Sequence, residues 1–163
     1  MRVVLQRVKQ ASVEVDGREV GKIGRGICLL IGIEKGDSRE DAEYLARKAV
    51  ELRIFPDSAG KMNLSLEEVG GEVLAVSQFT LVASTKKGRR PGFDRAEEPA
   101  RAEELFEEFV RIVRARGFRV ETGVFQALMD VHLINEGPVT FILESRSSSP
   151  WGEPGGEKGE DSL

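Results

Sequence analysis

Residues 27 to 33 read ICLLIGI, with no polar side chain on either face of the strand such a run would form. A strand wetted on one side alternates apolar and polar residues, so this segment must lie centrally in a sheet, covered on both faces. The rest of the chain has to supply that sheet and its cover. RVVLQRVKQASVEV, residues 2 to 15, alternates from Val4 onward. Asp16-Gly17 is a strong hairpin signal, and REVGKIG follows as a second strand. EVLAVSQFTLVA, residues 72 to 83, reads as another buried strand, and the segment from Phe118 to Ser145 closes the patterned region with further strands.

Two segments change period. In GDSREDAEYLARKAVELRIF, Ala42, Leu45, Ala46, Ala49, Leu52 and Arg53 recur at helical spacing, Asp37 or Ser38 is placed to cap the start, and Phe55-Pro56 marks the end. In PARAEELFEEFVRIVRARG, Pro99 sits in the first turn, Leu105, Phe106, Phe109, Ile112 and Val113 share one face, and arginines gather toward the carboxyl end. Strands dominate and the two principal helices are separate. The expected class is therefore α+β, with a mainly antiparallel sheet curved, or barrel-like, around a core.

At 163 residues, 40% hydrophobic and 32% charged, the chain suits one domain with a substantial core, here residues 1–146. Residues 147–163, SSSPWGEPGGEKGEDSL, are too rich in Ser, Pro, Gly and acid to bury a core and read as a disordered acidic tail carrying the only tryptophan, Trp151. That tail holds four acids against one lysine, a net of −3 out of −4, so the domain itself is close to neutral and a nucleic-acid partner stays open. Cys28 is a lone cysteine inside an apolar run and reads as core. No apolar run approaches the roughly 20 residues that span a bilayer, and the first ten residues lack a signal-peptide pattern. A cytoplasmic protein with no membrane partner is expected.

Chemistry is sparse. One histidine and one cysteine leave no metal-ligand spacing, and neither a Walker loop nor a dinucleotide fingerprint is present, so no metal or cofactor is expected. His132 is the one conventional base near neutrality, and a triad with Ser77 and Asp130 can be drawn, but from residue types too common to carry it. Three stretches say more. SQFTL, Ser77 to Leu81, interrupts an apolar strand with three polar side chains, which suits either a hydrated strand end or a site of hydroxyl and amide groups with no ionisable base. KKGRR, Lys86 to Arg90, puts four cations around a glycine, either as a solvated loop or to meet nucleic-acid phosphates. NEGPVT, Asn135 to Thr140, places Gly-Pro between two apolar runs, either as a hairpin turn or as backbone presented to a ligand.

SQFTL and NEGPVT together, in this order, resemble the D-aminoacyl-tRNA deacylase family of chiral-proofreading enzymes. The likeness runs from Met1 to about Ser145 and takes in MRVVLQRV, KMNLSL, TKKGRRPGF and ETGVFQALM. It implies the fold of that family and a homodimer whose sites are shared across the interface. It also implies hydrolysis of the ester joining a D-amino acid, or mischarged glycine, to tRNA. By the same resemblance Ser77, Gln78, Phe79 and Thr80 would be the catalytic run around the terminal adenosine and scissile ester. Gly137 and Pro138, joined by a cis peptide, would reach into the partner's site and crowd the position of an L side chain. Phe125 and Met129 would line the substrate site, Met62 and Asn63 would approach it from the long loop, and Lys86, Lys87, Arg89 and Arg90 would bind tRNA phosphates. Thr80 as nucleophile competes with assistance from the ribose 2′-hydroxyl, and the lack of a neighbouring base favours the latter. The chain departs from the family pattern at Glu136, where aspartate is usual, at Gln126, where glycine is common, and at Gly92, where serine is common. Of these, Gln126 bears on the shape of the pocket.

Overall fold

The computed structural model describes residues 1–145; the acidic segment and Trp151 lie outside the described residues. In chain order the elements are β1 (Arg2–Val15), β2 (Arg18–Ile23), β3 (Gly26–Gly32), α1 (Arg39–Glu51), β4 (Phe55–Pro56), β5 (Met62–Leu64), β6 (Glu72–Ser77), a 3₁₀ turn (Phe79–Val82), α2 (Pro99–Ala115), β7 (Val120–Thr122) and β8 (Asp130–Glu144). No helix among them is long and apolar enough to cross a membrane. The main sheet runs β2-β1-β3-β6-β7, with β8 on the other edge of β1. It curls until its two ends meet: a Cβ on Gly21 of β2 would lie 2.6 Å from the Thr122 carbonyl oxygen of β7.

That curl explains the doubly apolar strand. Ile27, Leu29 and Ile31 face an outer core shared with α1 and α2, whereas Cys28 faces an inner cluster with Val8, Ala11, Val13, Ile23, Leu74 and Val76. Burial without a charged partner pushes the Cys28 thiol up to about 12, as its core assignment requires. The α+β class, both helices and the mainly antiparallel, barrel-like sheet are as expected, and two of its pairings are parallel. β1 pairs antiparallel with β2, β3 and β8, while β3–β6 and β6–β7 are parallel. The helices are the reason: α1 lies between β3 and β6 and α2 between β6 and β7, and a parallel pair needs such a crossover.

Local signals are met with small shifts. Ser38 caps α1, its N–H and hydroxyl both donating to the Asp41 carboxylate (2.8 and 3.0 Å). The helix stops at Glu51, short of Phe55-Pro56, because Leu52 turns to extended backbone. Arg53 thereby leaves the helical face and donates to the Asn63 carbonyl instead. On α2 the buried stripe is Leu105, Phe106, Phe109, Val110 and Val113, with Ile112 half-buried. The strand expected over 72 to 83 ends at Ser77, where the chain passes through Gln78 into the 3₁₀ turn.

NEGPVT is not a hairpin turn. Both of its flanks belong to β8 and pair with the same strand, β1. Val8 stands opposite Asn135 and Gln6 opposite Thr140, so β8 advances five residues while β1 advances two. The surplus, carrying the cis Gly137-Pro138 peptide, is thrown out of the ladder as a bulge that leaves the strand's direction unchanged.

Gly26 opens β3 where it meets β6, and a Cβ there would overlap the Glu72 carbonyl oxygen, which no rotamer change can relieve. Gly26→Ala is expected to destabilise the fold by about 1–3 kcal/mol, lowering the thermal midpoint by several degrees. Gly24→Ala, whose added carbon would meet only the Glu72 carboxylate at 3.4 Å, is the near-neutral control. Circular dichroism melts of the two variants make the comparison.

Candidate active site

A cavity of about 450 Å³ opens between the end of β6, the start of α2 and the segment joining β7 to β8. Ser77, Gln78 and Phe79 form one wall; Ala96, Glu97, Pro99 and Ala102 face them; Phe125 through Met129 complete the rim, and Ile31, Ile33 and Val76 form the floor. Apolar atoms dominate the lining, with a few polar groups at the edge, the usual character of a small-molecule site.

The Ser77–Thr80 wall is held in place from several sides. Gln78 N–H donates to the Ile31 carbonyl at 2.8 Å, carrying the β3–β6 ladder one residue past the strand. The 3₁₀ turn then packs so closely on β3 that a Cβ on Gly32 would lie 2.9 Å from Leu81 Cβ and 3.0 Å from the Gln78 carbonyl oxygen. From behind, the Arg2 guanidinium donates to the Leu81 carbonyl (2.8 Å) and to Glu144 (2.9 Å). Phe79 is left 60% exposed, its ring 5.1 Å from that of Phe93. Thr80 lies beside the cavity without lining it, and its hydroxyl accepts a 2.5 Å hydrogen bond from the Gln78 side-chain amide. An amide donor cannot remove a proton, so this contact does not make Thr80 a nucleophile.

Phe125 and Met129 line the cavity, Phe125 also packing on Phe106 of α2 with ring centres 6.2 Å apart. Lys86, Lys87, Arg89 and Arg90 lie on an exposed loop closed by paired hydrogen bonds between Ser84 and Gly92, both 2.8 Å. Gly88 takes the left-handed conformation at its tip, with φ +65°. None of the four cations has an ion-pair partner among the described residues. The loop returns through Phe93, whose ring lies against that of Phe79 in the cavity wall.

Met62 and Asn63 are elsewhere in the same chain. They sit on β5, with Met62 exposed and Asn63 in a separate groove beside Arg53 and Phe118. Their loop is tied to Asp57, whose carboxylate accepts from the N–H groups of Lys61 (3.0 Å) and Ala59 (2.9 Å) and from Asn63 Nδ2 (3.2 Å). Those donors, the Lys61 amide foremost, hold the Asp57 carboxyl below the usual range.

Gly137 and Pro138 do not line the cavity either; both are exposed on the bulge of β8. The base of the bulge is fixed by residues that sequence reading missed. Arg7 of β1, 8% exposed, donates from Nε to the Glu136 carbonyl (3.0 Å) and from Nη1 to the Ile54 carbonyl (2.7 Å). Asn135 spans the bulge, accepting from Val139 N–H (2.6 Å) and donating to Thr140 Oγ1 (2.9 Å). Arg7 interrupts the apolar alternation of β1, which was the available signal.

The imagined triad is not assembled. His132 lies on β8 opposite Ser12, with Nε2 3.5 Å from Glu14 Oε2, and lines a different cavity from Ser77.

Comparison with known proteins identifies the family. The family model described as D-Tyr-tRNA(Tyr) deacylase matches residues 4–144. A curated D-aminoacyl-tRNA deacylase of Geobacter sulfurreducens is 57% identical over 149 residues, covering 91% of this chain and 98% of the relative. That of Aquifex aeolicus is 54% identical, covering 90% and 99%. Among solved structures, the c-Myc DNA Unwinding Element Binding Protein superposes with a TM-score of 0.85 at 41% identity, over 90% of this chain and 100% of the other. A probable eukaryotic D-amino acid tRNA deacylase shares the fold with a TM-score of 0.77 at 22% identity, over 88% and 98%. With the family model spanning nearly every described residue and curated relatives more than half identical along almost their whole length, the chain belongs to the D-Tyr-tRNA(Tyr) deacylase family.

Proposed function

We propose that the protein hydrolyses the ester that joins a D-amino acid, or mischarged glycine, to the 3′ end of tRNA, acting in the cytoplasm as a homodimer whose two sites are each shared between the copies. The observation that carries this reading is a separation. The Ser77–Phe79 wall lines the cavity of its own chain, whereas Gly137 and Pro138 stand outside that cavity on an exposed bulge. A second copy would bring its bulge to the first copy's cavity. β8 pairs on one edge only among the described residues and exposes Val131, Ile134 and Ile142, which suits pairing with another chain.

In such a dimer the backbone of Gly137 and Pro138 would face the α-carbon of the bound aminoacyl group and crowd the place an L side chain needs. A pocket that must accept many side chains cannot judge handedness from them, but a fixed backbone can, by rejection. Glycine, lacking a side chain, passes. The terminal adenosine and ester lie along Ser77 to Thr80, with Phe125 and Met129 against the substrate and Met62 and Asn63 approaching from the second copy's long loop. The cations Lys86, Lys87, Arg89 and Arg90 meet tRNA phosphates beyond the acceptor end.

Hydrolysis needs little from side chains. Water adds to the ester carbonyl, N–H groups at the start of the 3₁₀ turn stabilise the oxyanion, and the bond to the ribose oxygen breaks. The vicinal 2′-hydroxyl relays the proton from water to the departing oxygen, a role that Thr80, bonded to an amide donor, is not equipped to take.

Incubation with D-tyrosyl-tRNA and L-tyrosyl-tRNA in chelator should release tyrosine from the D form alone; no release of the D form would overturn the reading, and equal release of both would remove the chiral gate. Replacing the terminal ribose by its 2′-deoxy form should slow release by at least about a hundredfold. Undiminished release from that substrate would return the role to Thr80. His132→Ala should stay within about twofold of the parent rate, against several orders of magnitude lost if a triad operated.

A further inference from the structure

At the rim of the cavity a glutamine stands on backbone that does not suit it. Val124 to Ala127 form a β-turn closed by the Ala127 N–H on the Val124 carbonyl (3.2 Å), and Gln126, at its third position, has φ +64°. Phe125 before it keeps an ordinary negative φ, so the turn has the type II form, whose third position is normally glycine or asparagine. Every other left-handed position among the described residues is a glycine or Asp16 of the Asp-Gly hairpin. Glutamine at this place costs stability, and an outlier of that kind at a cavity is grounds for seeking a use.

The lining supplies one. Four of its residues carry polar side chains: Ser77, Gln78, Glu97 and Gln126. The Gln78 amide is given to Thr80 and Glu97 Oε1 accepts from Glu98 N–H, while the half-buried Ser77 hydroxyl and the exposed Gln126 carboxamide have no hydrogen-bond partner among the described residues, and of these two only the carboxamide carries both a donor and an acceptor on separate atoms. A free donor and acceptor, side by side above a lining that includes Phe79, Phe125 and Met129, match a flat heterocycle with an acceptor and a donor on adjacent edge atoms. Adenine presents such a pair twice, as the N6 amine with N7 and with N1, and the N6/N7 edge is the one that glutamine reads bidentately in nucleic-acid recognition. The amino-acid side chain is the poorer candidate, because an enzyme that accepts many of them offers an amide no constant partner.

We infer that Gln126 is a specificity residue that reads the N6/N7 edge of the 3′-terminal adenine. The inference rests on the proposed deacylase reading of the same cavity. The test is direct binding of the non-hydrolysable 3′-deoxy-3′-(D-tyrosylamino)adenosine and of its 7-deaza analogue to the wild-type chain and to Gln126→Gly. Wild type should prefer the adenosine compound by about tenfold or more. Gln126→Gly should bind both weakly and alike, while melting above wild type because glycine fits the turn. A variant that keeps the adenosine preference overturns the inference, and one that also melts lower shows Gln126 to be structural. If the wild-type chain binds neither compound, the reading of the cavity falls and this inference with it.

Discussion

Strand β1 is paired along both edges, with β2 and β3 on one side and β8 on the other, and the SQFTL and NEGPVT segments are both hung from it. Arg2 near its start donates to the carbonyl of Leu81, holding the 3₁₀ turn that carries Phe79 and Thr80. Arg7, five residues on, donates to the carbonyl of Glu136 and holds the base of the Gly137-Pro138 bulge. Each guanidinium is nearly buried and satisfied by carbonyl or carboxylate oxygens, so neither motif can shift without leaving a buried cation short of acceptors. One strand thus fixes the spacing between a cavity wall and a backbone projection that sequence places some sixty residues apart.

What the bulge adds is reach. A regular β8 would place Gly137 and Pro138 in the ladder, their backbone consumed by pairing with β1. Because β8 advances five residues to two of β1, that backbone stands clear of the sheet, and Asn135 closes the gap beneath it. The cavity, in turn, owes its shape to close approach: Gly32 lets the 3₁₀ turn sit on β3, and α2 begins where Pro99 and Ala102 can form the opposite wall. The hydrolysis proposed above draws on positioned backbone and on a substrate hydroxyl, and so asks for few ionisable side chains near the cavity.

Much of this was legible in the residues. ICLLIGI demanded cover on both faces and has it, and the two helical repeats gave both crossovers. Their consequence, two parallel pairings within a mainly antiparallel sheet, follows from the helices lying between strands. The Gly-Pro pair announced a break in a ladder, but whether the chain reverses there is decided by its partner strand, and a bulge and a hairpin share the same local signal. Arg7 marks itself in sequence only as a charge that breaks the apolar alternation of β1; the carbonyls it meets, those of Glu136 and Ile54, are brought to it by the fold. Gln126 reveals its left-handed backbone in no property of its neighbours, and Met62 and Asn63 stand on a loop away from this chain's own cavity, so the role proposed for them depends on a second chain.

That dependence on a second chain is the central claim, and a structure of the protein with bound 3′-deoxy-3′-(D-tyrosylamino)adenosine tests it most directly. A shared site predicts the tyrosyl group in the cavity walled by Ser77, Gln78 and Phe79 of one copy, with backbone atoms of Gly137 and Pro138 from the other copy within about 4 Å of its α-carbon. A ligand held by a single chain, with no Gly137 or Pro138 from a second copy near it, would contradict the claim.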